Sequence, residues 1–233
     1  MGRSFVADAS RPIRGAAAEE VIVGVAPTPV AYVIAKRALD VGVSATLLVL
    51  ALPFILLIGL LVRLDSPGPI VFRQRRVGRG GRVFSFYKFR TMQVDARVVF
   101  PQLYAYRYSR QEFVDMMLKT PDDPRLTPFG RRLRTTSLDE LPNLFNVLRG
   151  DMSLVGPRPE LPEMVRYYTE EELSKFTVRP GVTGLWQVSG RAMLRNGQQL
   201  EADVEYVRRR SLAFDVRILV RTIRAVVLRI GAF

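Results

Sequence analysis

Neither cysteine nor histidine occurs in the 233-residue chain. Their absence excludes disulfides, thiolate nucleophiles, Ser-His-Asp triads and the usual zinc sites, all of which need a thiol or an imidazole. Any general base is therefore Asp, Glu, Lys or Tyr, and any metal is a hard, oxygen-preferring ion such as Mg²⁺. Acidic residues are also scarce, 22 against 35 Lys and Arg, which leaves a formal charge of +13. That balance suits nucleic acid, an anionic membrane surface or phosphorylated substrates, and does not choose among them. The length is enough for one domain with a core and an attached membrane element.

Charge is absent altogether from Val41 to Val62, a run of 22 residues flanked by Lys36-Arg37 and by Arg63. As a helix it would measure about 33 Å, enough to cross a bilayer core of about 30 Å. A buried helix of a soluble protein is the alternative, but such helices are seldom apolar on every side. Pro53 lies near the middle, where it removes a backbone hydrogen bond and kinks the helix. Basic residues stand at both ends, so the positive-inside rule favours neither orientation, as expected if both ends lie on one side. The chain thus divides into a poorly ordered tail (1–35), a membrane helix (36–65) that either spans or is re-entrant, and a third region, 66–233, large enough for a folded domain. No cleavage pattern of a secretory signal follows the apolar run.

Asp65-Ser-Pro-Gly-Pro69 marks a sharp turn. The next two segments, from Ile70 and from Val83, read as strands joined by Gly78-Arg-Gly-Gly81 into a hairpin, with Phe84, Phe86, Lys88 and Arg90 on one face. Residues 95–124 carry aromatics that fit either a sugar or nucleotide pocket or an ordinary variable loop. Asp122-Asp123 lies between prolines and reads as a turn rather than a metal motif. Trp186 reads as a core aromatic. Residues 206–230 read as one amphipathic helix, with Arg210, Arg217, Arg221 and Arg224 at helical spacing. It suits an anionic leaflet or a face of the catalytic core equally. The fold class is α/β, mostly α with a short β-hairpin.

The organising stretch is 134–159, in which Asp139-Glu140 lie between Arg134 and Arg158. A carboxylate there can hold Mg²⁺ or act as a nucleophile while arginine forks neutralise phosphoryl oxygens. The competing reading is local: Ser137-Leu-Asp-Glu140 fits the S-x-x-E capping box, although Pro142 sits poorly inside a helix starting at Ser137. The residues alone leave the two readings level.

From Ser137 to Pro159 the chain resembles the signature of the bacterial sugar transferase family, the monotopic phosphoglycosyl transferases. The likeness runs from about Lys36 to the C-terminus. It includes Tyr87-Lys88-Phe-Arg90-Thr-Met, the segment from Asp123 to Arg134, and the block from Arg179 to Arg191. It implies transfer of a sugar 1-phosphate from a nucleoside-diphosphate sugar, a UDP-hexose, to polyprenyl phosphate, releasing nucleoside monophosphate and starting glycan or exopolysaccharide assembly.

By the same resemblance Asp139 is the nucleophile and Mg²⁺ ligand, with Glu140 supporting it. Lys88, Arg134 and Arg158 bind phosphate, and Arg179 and Arg191 attend the nucleotide sugar. Pro53 breaks the membrane helix, although Leu52-Pro53 stands where many members carry Ser-Pro. The implied location is the bacterial inner membrane, with the catalytic domain on its cytoplasmic face. Lipid is a partner, nucleic acid is not, and a homo-oligomer is left open. The alternative from another class is a membrane-tethered basic protein that binds nucleic acid or anionic lipid. It accounts for the charge and the apolar run but not for Asp139-Glu140.

Overall fold

The computed structural model describes residues 28–117 and 122–228. Helix α1 spans Val30–Asp65 and continues through Pro53 as a single element. It starts before the expected boundary because nothing in Val30–Ala35 breaks a helix once Pro29 has been passed, and because its first turns have buried partners. The Tyr32 hydroxyl and the Lys36 ammonium both donate to Asp215 Oδ2, at 3.0 and 2.8 Å. Residues 1–27 of the expected tail lie outside the described residues.

Both ends of α1 are fastened to the same domain. Near the start, Arg37 donates to the Val147 and Leu148 carbonyls at 2.6 and 2.8 Å. Buried Asp40 accepts from Ser153 Oγ and the Leu154 amide at 3.0 and 2.9 Å. Near the end, Ile55, Ile58 and Val62 pack with Phe89, Phe129 and Leu133, and Asp65 accepts from the Phe129 amide. The rest of the surface is bare: Val49, Leu50, Phe54 and Leu56 are 73, 67, 63 and 67% exposed. The helix is long and apolar enough to cross a membrane. It is not a buried core helix, because burial would have covered those side chains.

The hairpin forms as the alternation requires, β1 (Val71–Val77) antiparallel to β2 (Val83–Phe89), and Val77 pairs with Val83 across the turn. Gly80 and Gly81 take φ of 67° and 71° there, a region glycine enters without strain. Arg90 follows β2 and leaves its face: its buried guanidinium donates to the carbonyls of Val62, Ser66 and Pro67, locking the exit from α1.

Helices α2 (Arg110–Asp115), α3 (Pro128–Thr136) and α4 (Asn143–Arg149) follow. Strands β3 (Ser153–Val155) and β4 (Gly181–Thr183) then pair in parallel. This second sheet is too short to leave a period in the sequence. It relies on two glycines, since a Cβ on Gly181 would lie 2.1 Å from the Gly156 amide nitrogen. The main core gathers Phe86, Leu144, Val147, Met152, Leu185 and Ile218, with Trp186 also buried, as expected.

After α5 (Leu185–Ser189), the expected helix 206–230 is corrected to the end of α6 (Asn196–Arg209) and a separate α7 (Leu212–Val227). Ser211 ends the continuity: its hydroxyl accepts from the Phe214 amide and starts a new helix. Arg210 belongs to the break, where it donates to Thr28 Oγ1. Residues 229 and 230 lie outside the described residues.

Candidate active site

Ser137 decides between the two readings of the central stretch. It ends α3 in the left-handed conformation, φ 59°, and its side chain caps no helix. Its hydroxyl instead accepts from Arg191 Nη2 at 2.6 Å. The capping box is therefore absent, and Pro142 falls just before α4, where proline fits a helix entrance. Asp139 and Glu140 sit on a single 3₁₀ turn, Leu138–Glu140.

Cations from four separate segments surround this turn. Asp139 is 6% exposed. Its charge acts on Lys88 from β2, Arg134 from α3, Arg158 from the loop after β3, and Arg191 beyond α5. Each guanidinium has its own tether. Arg158 donates to Glu140 at 2.9 Å, and Arg134 lies 3.4 Å from Asp123. Asp123 is buried and also binds Arg125, so the Asp122-Asp123 turn orients an arginine.

Burial lowers the Lys88 ammonium to about 7; Asp139 opposes that fall, while Arg134, Arg76 and Arg158 deepen it. Burial also works against the Arg158 charge, but Glu140 overrides it and holds the guanidinium above its ordinary value.

Arg76 joins this group and went unnoticed in the sequence. The hairpin register pairs Phe72 with Lys88 and Arg76 with Phe84, which puts Arg76 and Lys88 on one face. The signal was the alternation of β1, applied above only to β2. Arg76 donates to the Pro159 carbonyl at 3.1 Å, and burial lowers it to about 10. Arg179, by contrast, stands apart from the carboxylates. It donates to the Gly150 carbonyl at 3.1 Å, and its charged neighbours are Arg79, Arg37 and Asp40.

The loop carrying Arg158 is held from behind. Gly181 donates to the Pro157 carbonyl at 2.8 Å and Val77 to the Glu160 carbonyl at 2.7 Å. Glu160 accepts from the Tyr168 hydroxyl, which neighbours Lys175, and Lys175 pairs with Asp203 at 2.7 Å. Lys175 and Asp203 are 3 and 2% exposed, so each charge depends on the other. Among the described residues no group of three or more acidic side chains exists that would cage a metal by itself. One or two carboxylates beside a cluster of cations do fit Mg²⁺, which usually completes its shell with substrate phosphates and water.

A profile of the bacterial sugar transferases matches residues 31–229. The chain belongs to the bacterial sugar transferase family. Among its relatives in the family, the UDP-glucose:undecaprenyl-phosphate glucose-1-phosphate transferase of Caulobacter vibrioides is 42% identical over 209 residues, covering 84% of this chain and 72% of that protein. The undecaprenyl-phosphate galactose phosphotransferase of Salmonella typhimurium is 40% identical over 198 residues, covering 85% and 41%. The exopolysaccharide production protein ExoY of Rhizobium meliloti is 38% identical over 199 residues, covering 85% and 88%. The chain spans less than half the length of some relatives, 41% for the Salmonella protein and 44% for a galactosyl transferase of Streptococcus agalactiae.

The buried pair behind the Arg158 loop yields a stability prediction. Lys175→Met strands the Asp203 carboxylate and should cost about 3–5 kcal/mol, read as a fall in the thermal midpoint in detergent. Adding Asp203→Leu should restore most of the loss. A double variant as unstable as the single would show that the carboxylate was not what suffered.

Proposed function

We propose that this protein transfers a sugar 1-phosphate from a nucleoside-diphosphate hexose, a UDP-sugar, to undecaprenyl or a related polyprenyl phosphate, and so initiates glycan or exopolysaccharide assembly. The observation that carries this reading is one nearly buried carboxylate, Asp139, enclosed by cations from four segments. That arrangement suits displacement at phosphorus, where the attacking group and its target are both anionic. The relatives' names, which specify undecaprenyl phosphate and in one case UDP-glucose, support the substrate classes. A basic tether for nucleic acid or lipid would have no use for that carboxylate.

In the first step an Asp139 oxygen forms a bond to the sugar-linked phosphorus. The bond from that phosphorus to the bridging oxygen breaks, and nucleoside monophosphate leaves with the electron pair. In the second, an oxygen of polyprenyl phosphate attacks the same phosphorus. The acyl phosphate bond breaks, the carboxylate is regenerated, and the product is a polyprenyl diphosphosugar. Lys88, Arg134, Arg158 and Arg191 neutralise phosphoryl oxygens and hold the donor against Asp139. Glu140 keeps Arg158 aimed. Mg²⁺ held by Asp139, with Glu140 beside it, would offset phosphate charge.

In this reading the bare face of α1 sits in the cytoplasmic leaflet of the bacterial inner membrane, with both ends of the helix and the catalytic domain on the cytoplasmic side. Attachment of Arg37 and Asp40 at one end, and of Val62 and Asp65 at the other, to one domain supports re-entrance over spanning. A straight crossing would put about 30 Å of lipid between those ends.

Release of nucleoside monophosphate from a panel of UDP-sugars, with Mg²⁺ and polyprenyl phosphate, tests the chemistry. One sugar should turn over, and Asp139→Asn should lower the rate at least about a thousand-fold. An undiminished variant would remove Asp139 as nucleophile. The pH profile tests Lys88, which is charged below about 7 and neutral above. Donor kcat/KM should fall about ten-fold as pH rises through 7, and Lys88→Arg, always charged, should flatten that fall. An identical slope in the variant would assign the titration elsewhere. The cysteine-free background makes Ser10→Cys and Arg75→Cys clean probes of topology. A membrane-impermeant thiol reagent should reach both from the same side, and labelling from opposite sides would mean that α1 spans.

A further inference from the structure

Helices α5, α6 and α7 enclose a surface groove of about 340 Å³ that the proposed chemistry does not use. Its lining combines Leu185, Ala202 and Phe214 with Ser189, the Glu205 carboxylate and the guanidinium groups of Arg209, Arg217 and Arg221. Arg209 is already engaged: it is paired with Glu205 and lies over the Phe214 ring, 4.9 Å from its centre. Arg217 and Arg221 have no hydrogen-bonding or acidic partner among the described residues. Two guanidinium forks beside the side chains of Leu185 and Phe214 match an amphiphilic anion better than a free ion.

The rest of α7 identifies the kind of amphiphile. Phe214, Ile218 and Ala225 face the core. Leu212, Val216, Val220, Ile223 and Val227, at intervals of three or four residues, form a second stripe that is 36 to 72% exposed. Arg217, Arg221 and Arg224 each follow a member of that stripe by one position, which turns them about 100° around the axis. All three lie on one flank of it. The opposite flank holds buried Asp215, which accepts from Tyr32, Lys36 and Tyr206. An ordinary collar of snorkelling cations would border the apolar stripe on both sides. This one borders it only beside the groove. The stripe also adjoins the membrane helix, because Leu212 shares an apolar cleft with Ala31 and Ala35 of α1.

We propose that the groove is a binding site for the phosphodiester headgroup of an anionic glycerophospholipid, held by Arg217 and Arg221 while the apolar stripe of α7 lies in the acyl region. The proposal rests on the membrane reading of α1 and adds a lipid-selective contact to it. The site is separate from the catalytic cluster but its helix touches one member of it. Arg191, which donates to Ser137, also reaches the Ala225 carbonyl at 3.4 Å, near the far end of α7. A headgroup bound at the near end therefore fixes the height of α7, and with it the depth of the catalytic turn, relative to the leaflet.

The test uses the full-length protein in neutral detergent, titrated with phosphatidylglycerol or phosphatidylcholine and read by native mass spectrometry. Wild type should retain phosphatidylglycerol about ten-fold more readily, and R217Q/R221Q should lose that preference, since both forks to the phosphate are gone. R217K/R221K should keep an intermediate preference, as charge remains without the fork. Nucleoside monophosphate release in detergent should be unaltered in both variants, which reports their folding. Equal preference in wild type and R217Q/R221Q would overturn the site. So would displacement of phosphatidylglycerol by equimolar inorganic phosphate or polyprenyl phosphate, which would make the groove a soluble-anion or acceptor site. Flotation on neutral phosphatidylcholine vesicles tests the membrane reading separately, because it depends on α1 and not on Arg217 or Arg221.

Discussion

Mutual repulsion among cations is the constraint on which the rest of this structure depends. Lys88, Arg76, Arg134, Arg158 and Arg191 converge on the turn bearing Asp139 and Glu140, and burial alone would drive such charges apart or neutralise them. Each guanidinium is therefore held by a contact of its own. Asp123 takes Arg134, Glu140 takes Arg158, the Pro159 carbonyl takes Arg76, and the Ser137 hydroxyl takes Arg191. Lys88 has the Asp139 carboxylate and the Phe72 ring to oppose its burial, and it is the member whose ammonium falls to about 7. The cluster is thus preorganised for anions, which is what the proposed reaction between two anions would require.

The scaffold follows from that need. Arg158 is aimed because its loop is sewn to β1 on one side and β4 on the other, and the close approach of Gly156 and Gly181 makes the second seam fit. Behind the loop, Lys175 and Asp203 form a buried pair that adds little net stability, since such pairs rarely exceed the cost of their own desolvation. In the proposed reading, α1 and α7 then set the height of this cluster at a membrane surface. Their bare apolar faces meet near Leu212, and buried Asp215 fastens one helix to the other through Tyr32 and Lys36.

Much of this was legible in the chain itself. The hairpin announced itself because alternation and the Gly78–Gly81 turn agree, and α1 because an uncharged run of 22 residues has few other uses. The same logic failed where the signal was short or shared. Strands β3 and β4 have three residues each, below any period that can be counted. Arginines at helical spacing ran across Arg210–Ser211 and hid the end of α6. Ser137-Leu-Asp-Glu140 is a good capping box by its letters, yet Ser137 closes the helix before it. Arg179, grouped with the site by its motif, lies instead over the end of α4, because β4 turns it towards the Gly150 carbonyl.

The sequence by itself limited the chemistry available: without thiol or imidazole a general base must be Asp, Glu, Lys or Tyr, and 35 basic residues against 22 acidic favour anionic partners. It also determined the elements whose period or composition is local, namely the hairpin and the apolar helix. Tertiary structure alone decided which cations surround the turn bearing Asp139 and Glu140, that Arg76 is among them and that Arg179 is not. It also decided that both ends of α1 meet one domain. The physical reason is one of range. Hydrophobic period and turn chemistry are written within a few residues of each other. The geometry of a charge cluster depends on side chains as far apart as Arg76 and Arg191, brought together only when their elements pack.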